Sequence, residues 1–181
     1  MDTQLQFTLL IASRLRDAGI PYMITGSVAL AVYAQPRMTR DIDVVIECES
    51  DDAPRIVDLF KPDCYVEEAE IREAVTHASM FNVIHNEWIV KADFIVRKDD
   101  EYRRLEFSRR REARIGGEVV SVVSPEDLIL SKLVWSRDSG SELQIRDVRS
   151  LFAAGIDLDW PYLEKWAAVL DVSDRLAEVR P

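Results

Sequence analysis

Residues 22–47 read YMITGSVALAVYAQPRMTRDIDVVIE, and this stretch decides the fold. Tyr22–Thr25 is a short strand-like run, Gly26-Ser27 breaks it, and Val28 to Ala34 reads as a helix stopped before Pro36. Asp41 to Glu47 is rich in β-branched residues and alternates. Asp41, Asp43 and Val45 fall on one face, and Ile42, Val44 and Ile46 on the other. One face of this strand belongs in a core while the other carries acid.

The chain on either side extends the same mixed pattern. Upstream, residues 4–18 place Leu5, Leu9 and Ala12 on one helical stripe, with Gly19 and Pro21 as stop signals. Downstream, 51–60 and 68–76 read as helices, and Met80–His85 and Trp88–Val96 as strands joined at Asn86. The second of these strands repeats the alternation, with Lys91, Asp93 and Ile95 opposite Ala92, Phe94 and Val96. Residues 99–111 read as a helix, and Arg114–Val123 as a hairpin turning at Gly116-Gly117. Helices follow at 125–136, 141–153 and 160–179, the last interrupted near Asp171-Val172-Ser173. The expectation is an α+β fold: a mixed β-sheet flanked by helices, with a C-terminal helical part. A soft boundary between 98 and 124 divides a 1–98 core from a 99–181 portion of linker helix, hairpin and helical subdomain closing over a cleft.

Composition narrows the function. A chain of 181 residues with 48% hydrophobic and 31% charged positions buries one sizeable core and lacks the profile of a disordered segment. Twenty-three basic against 33 acidic residues leave a net charge of -10, so any nucleic-acid contact is confined to a local patch. Cys48 and Cys64 have no CxxC spacing, and His77 and His85 no metal-binding spacing. No apolar run approaches the ~20 residues of a membrane helix, and MDTQLQ lacks the basic region of a signal peptide. A soluble, cytoplasmic chain with no membrane contact is expected. Trp135, Trp160 and Trp166 fit core packing, and Trp88 begins a strand.

The chemistry concentrates in a few residues. Gly26 permits a close backbone approach to a phosphate, the helix beginning there offers unpaired N–H groups, and Ser27 adds a hydroxyl. Asp41 and Asp43, two apart on a strand, point the same way and can hold divalent ions that bridge a triphosphate. Asp93, in phase on a later strand, completes a set suited to two metal ions. Lys132 and Asp147 sit on otherwise apolar helical columns, where each charge needs a partner. Ion pairing between Asp147 and Lys132 or Arg137 is the alternative to a direct ligand role.

The sequence GS-x13-DID followed by KADFIV resembles the DNA polymerase beta-type nucleotidyltransferase superfamily. Gly26–Glu47 is similar in particular to the AbiEii-like group, which includes toxins of type IV toxin–antitoxin systems. The likeness continues through Ser124-Pro125-Glu126-Asp127, which opens a helix carrying Lys132-x4-Arg137, to Asp147. The resemblance implies a nucleoside triphosphate (NTP) substrate and two Mg2+ or Mn2+ ions on Asp41, Asp43 and Asp93, these acids serving catalysis. It implies nucleotide contacts from Gly26, Ser27, Arg37, Thr39, Lys132 and Arg137, with Asp147 orienting the basic groups. The implied acceptor is a hydroxyl of RNA, such as a tRNA 3′ end, and the implied partner a cognate antitoxin protein. Arg103, Arg104, Arg109, Arg110, Arg111 and Arg114 form the one basic concentration, read either as a landing strip for RNA phosphates or as a solvated helix face. Adenylylation of a protein, a noncatalytic binding module, and the aminoglycoside adenylylation seen in the same superfamily are the competing readings.

Overall fold

The structure, a computed structural model, describes residues 2–39 and 41–180. Seven strands form one mixed sheet in the order β3-β4-β5-β2-β1-β7-β6, flanked by helices among the described residues. The central strands are β1 (Tyr22–Thr25), β2 (Asp41–Ile46) and β5 (Lys91–Val96). β2 pairs antiparallel with β1 and parallel with β5 in a register that sets Asp41 beside Lys91 and Asp43 beside Asp93. The α+β architecture expected from the alternation is present.

Each face of the sheet has its own core. Ile42, Val44 and Ile46 are fully buried with Phe7, Ile11, Phe60, Phe81 and Phe94 beneath α1 (Thr3–Asp17), α3 (Ala53–Phe60) and α4 (Glu68–His77). Burying each such aliphatic side chain stabilises by about 1.5–3 kcal/mol. That fixes the strand's register, because a one-residue slip would turn the aspartates into the core. The opposite face packs Met23, Leu30, Tyr102 and Trp166 against the later helices, with Val45 at its edge. These helices are α5 (Glu101–Ser108), α6 (Pro125–Ser139), α7 (Glu142–Ala153), α8 (Trp160–Val169) and α9 (Ser173–Val179). Asp41, Asp43 and Asp93 lie on this second face, at the mouth of a cleft roofed by α6.

Some boundaries differ from the sequence expectation. α2 spans Gly26–Tyr33, so the helix starts at the glycine itself. α5 stops at Ser108, and Arg111 begins β6 (Arg111–Ile115), which pairs with β7 (Glu118–Val122). Because β7 also pairs with β1 through Ile24 and Val122, the 99–181 portion supplies the last two strands of the main sheet. Cys64–Tyr65 forms a two-residue strand, β3, against β4 (Met80–His85). β5 begins at Lys91 instead of Trp88, whose indole stacks on the His85 imidazole at 3.8 Å.

Candidate active site

A cleft of about 550 Å3 is lined by Gly26, Ser27, Arg37, Thr39 and the three aspartates on the sheet side. Lys132, Trp135 and Gln144 face them from α6 and α7. This is a size suited to small-molecule ligands.

Gly26 is required here for two reasons. Its φ is +64°, in the left-handed region that favours glycine, and a Cβ at this position would lie 1.9 Å from Asp43 Oδ2. The expected close approach is therefore made first to the Asp43 carboxylate. Ser27, largely buried, follows in the first turn of α2, whose N-cap residue Thr25 makes no side-chain capping bond. The helix therefore has donors open toward the cleft.

The three carboxylates are crowded. Burial, followed by the charges of Asp93 and Asp41, pushes the Asp43 pKa up. Asp93 is 8% exposed, and its Oδ1 is buried with no hydrogen-bond partner. The cation beside them is Lys91, whose ammonium donates to Asp93 Oδ2 at 3.1 Å and lies 3.5 Å from Asp41 Oδ1. It also comes within 2.9 Å of Asp93 Oδ1, without the angle of a hydrogen bond. The hydrogen bond it donates to Asp93, which outweighs partial desolvation, raises the Lys91 pKa.

An orphaned carboxylate oxygen, a disfavoured second carboxylate and a glycine that leaves the acids room together fit a divalent cation. The acids are nonetheless not drawn together as a finished cage, since no group of three such ligands is in place to hold a metal ion among the described residues. Lys91 spans two of them instead.

Across the cleft, Lys132 and Asp147 are each 4% exposed and joined at 2.7 Å, with Gln144 Oε1 3.2 Å from the ammonium. Burial lowers the Lys132 pKa, and the bond to Asp147 opposes that shift. Asp147 also receives Arg37, whose Nε and Nη2 donate to it at 3.0 to 3.2 Å. Asp147 thus holds two cations at the wall of the cleft. Thr39 reaches the Asp41 carbonyl at 3.4 Å.

Arg137 does not join this group. Its guanidinium donates to Asp138 at 2.7 Å and to the Leu170 carbonyl at 2.6 Å, and Arg137 itself is not part of the cleft lining. Five residues on a helix turn through about 500°, which leaves Lys132 and Arg137 roughly 140° apart. The partner shared through Asp147 is Arg37.

The arginine concentration also differs from both of its readings. Arg103 pairs with buried Glu106 at 2.7 Å, and Arg109 reaches Glu126 and Asp127 at 3.3 and 3.2 Å. Arg111 shares Glu126, Arg104 pairs with Asp99, and Arg110 and Arg114 donate to the carbonyls of Phe107 and Gly117. Most of the strip is neutralised internally. Arg103 and Glu106 do line the far end of the cleft, together with Ser131, Arg97 and Lys98. A second depression of about 520 Å3, bordered by Arg16, Tyr22 and Arg110, lies apart from the carboxylates.

Several residues at or beside the cleft had no assigned role in the sequence. Lys91 shares strand parity with Asp93, so its place was visible as a position but not as a contact. Trp135, expected in the core, is 54% exposed on the cleft wall. Gln144, Glu106 and Ser131 carry no sequence signal of their own. No helix of the described residues is long and apolar enough to cross a membrane.

Comparison with known proteins agrees with this fold. The solution structure of the antibiotic-resistance factor ANT(2'')-Ia aligns at 16% identity and TM-score 0.63, over 99% of this chain and 96% of that one. An antigenic nucleotidyltransferase-like protein from Paracoccidioides brasiliensis aligns at 18% identity and TM-score 0.61, over 97% and 90%. The lincosamide antibiotic adenylyltransferase LnuA aligns at 13% identity and TM-score 0.54, over 85% and 98%. These likenesses establish the nucleotidyltransferase fold. A comparison with curated proteins gives no match. A family model described as Aminoglycoside-2''-adenylyltransferase matches residues 8–151, which include every cleft residue named above. It differs from the AbiEii-like group that Gly26–Glu47 resembles, the common ground being the nucleotidyltransferase superfamily. With most of its length inside the match, the chain belongs to the aminoglycoside-2''-adenylyltransferase family.

Proposed function

We propose that this chain transfers AMP from ATP to a hydroxyl group of a small-molecule acceptor bound in the cleft. The observation that carries this reading is the juxtaposition, in one cleft, of Asp41, Asp43 and Asp93 with Gly26-Ser27 and with Lys132 and Arg37, the two cations that Asp147 holds together from behind the lining. The acceptor oxygen bonds to the α-phosphorus, the bond from that phosphorus to the bridging oxygen breaks, and pyrophosphate leaves with the electron pair. The hydroxyl proton passes to Asp93, whose Oδ1 makes no hydrogen bond of good geometry although the Lys91 ammonium lies 2.9 Å away.

Asp41, Asp43 and Asp93 would hold a divalent cation, Mg2+ or Mn2+, which supplies charge neutralisation for the triphosphate and the leaving group. The backbone N–H groups opening α2 and the Ser27 hydroxyl contact the outer phosphates. Lys132 and Arg37 add positive charge, held in place by Asp147. Thr39 secures the approach to Asp41.

Family membership favours an antibiotic-like acceptor, and one similar structure is ANT(2'')-Ia in complex with adenylyl-2''-tobramycin. An RNA acceptor, implied by the AbiEii-like resemblance, loses part of its surface support because Arg103, Arg109 and Arg111 are spent on buried acids.

The test is pyrophosphate release from ATP and Mg2+ with tobramycin, lincomycin or bulk tRNA, with product masses, for wild type and Asp43→Ala. Release with a small acceptor, lost in the mutant, supports the proposal. AMP on RNase-sensitive material would restore the RNA reading, and no release with any acceptor would reject the transferase.

A further inference from the structure

Lys91 stands where the site's chemistry calls for a metal ion. On β5 it shares a face with Asp93, two residues away, and it is the register partner of Asp41 on β2. Its ammonium contacts both Asp93 oxygens, at 2.9 and 3.1 Å, and lies 3.5 Å from Asp41. Two of the three carboxylates are therefore already bridged by a cation of the chain's own. The third, Asp43, is packed against Gly26 and is not among its contacts.

We infer that Lys91 is a built-in counter-cation that occupies the ligand carboxylates until a metal–nucleotide complex displaces it, and so sets how tightly the site binds free metal. The inference rests on the reading of Asp41, Asp43 and Asp93 as metal ligands.

The reasoning is electrostatic. Three carboxylates on adjoining strands repel one another, and a partly buried cluster needs positive charge nearby to remain ionised. Lys91 supplies one charge through a flexible four-carbon stem, and its side chain is 39% exposed, so it can swing into solvent without disturbing the core. A divalent ion arriving with a triphosphate brings its own ligands and replaces the ammonium. A bare divalent ion must expel Lys91 with less in return. Lys91 is then a positioning residue: it acts through Asp41 and Asp93 and need not touch substrate.

The experiment titrates Mn2+ without nucleotide into wild type, Lys91→Met and Lys91→Arg, reading free Mn2+ by electron paramagnetic resonance. Asp43→Ala serves as the metal-ligand control. Melting is followed in parallel in metal-free and Mn2+-saturated buffer.

Lys91→Met is expected to bind Mn2+ about tenfold more tightly than wild type, since a like charge beside the ion is gone. It should melt lower than wild type without metal, and the gap should close with Mn2+. Lys91→Arg should behave as wild type. Equal or weaker Mn2+ binding by Lys91→Met would overturn the inference, as would a loss of melting temperature equal with and without metal, which marks a purely structural lysine. If wild type and Lys91→Met fail to bind Mn2+ even with ATP, the metal site itself is rejected and the inference falls with it. Tighter Mn2+ binding that Asp43→Ala does not weaken would reject those ligands in particular.

Discussion

The protein contains two three-carboxylate clusters, and their surroundings are opposite. Glu106, Glu126 and Asp127 are 3%, 1% and 0% exposed and densely partnered. Asp127 alone receives Ser124 at 2.6 Å, Tyr162 at 2.6 Å, Arg109 at 3.2 Å and Tyr102 at 3.3 Å. Asp41, Asp43 and Asp93 face the cleft with one lysine between two of them and an oxygen left over. A carboxylate cluster that is sealed and satisfied holds the helical layer together. One that is open and under-neutralised has kept its binding capacity for something else.

The sharpest way to break this contrast is to delete one acid from each cluster. Asp43→Ala is expected to cut nucleotidyl transfer by on the order of a thousandfold, roughly 4 kcal/mol of transition-state stabilisation, with the fold retained. Pyrophosphate release and thermal unfolding, measured on one sample, check both halves. A mutant that loses activity only because it melts would place Asp43 with the structural acids.

Asp127→Ala should do the reverse. It removes the acceptor of the Ser124, Tyr102 and Tyr162 hydroxyls and one of the two acids paired with Arg109, and breaking a buried pair from one side costs about 3–5 kcal/mol. Chemical unfolding should register that loss, while any folded fraction keeps a normal KM. A change in KM with unaltered stability would mean that Asp127 reaches the ligand.

A smaller effect is a pH dependence of the open cluster. The Asp43 pKa is raised in the folded protein, so its ionised form is disfavoured relative to the unfolded chain. The resulting loss of stability is complete above the folded pKa and disappears as pH falls through it toward the unfolded value. In metal-free buffer near pH 7, Asp43→Asn should therefore melt above wild type. The two should converge in acid. An Asn mutant that melts lower throughout would show that the neighbouring lysines already overcompensate the acids.

The open cluster was legible in the sequence and the sealed one was not. Asp41, Asp43 and Asp93 follow from strand parity, a local rule that the buried Ile42, Val44 and Phe94 enforce from the other side. Gly26 was legible as a turn glycine, although its contact with Asp43 depends on how β1 meets β2. Arg109, just past α5, and Arg111, on β6, pair with Glu126 and Asp127 from 15 to 18 positions away, and no periodicity reports such partners. The same limit hid the sharing of Asp147 by Lys132 and Arg37, which are separated by most of the chain. Arg111–Ile115 escaped as a strand start because REARI is mostly charged and pairs only at the sheet edge.

Trp135 offers the mildest test. It stands on the same helix as Asp127, about two turns further on, where α6 passes from the sealed layer to the open cleft. Its ring is 54% exposed, so little packing is lost on truncation, and stability should change by no more than about 0.5 kcal/mol. A flat aromatic on a cleft wall gives a base or sugar ring a face to lie on. Trp135→Ala should therefore raise KM for one substrate by about three- to tenfold and leave kcat nearly unchanged, the sign of binding energy equal in ground and transition states. Steady-state kinetics with each substrate varied in turn identifies which ligand rests there. A fall in stability of several kcal/mol would instead return Trp135 to the core, where its sequence spacing alone had placed it.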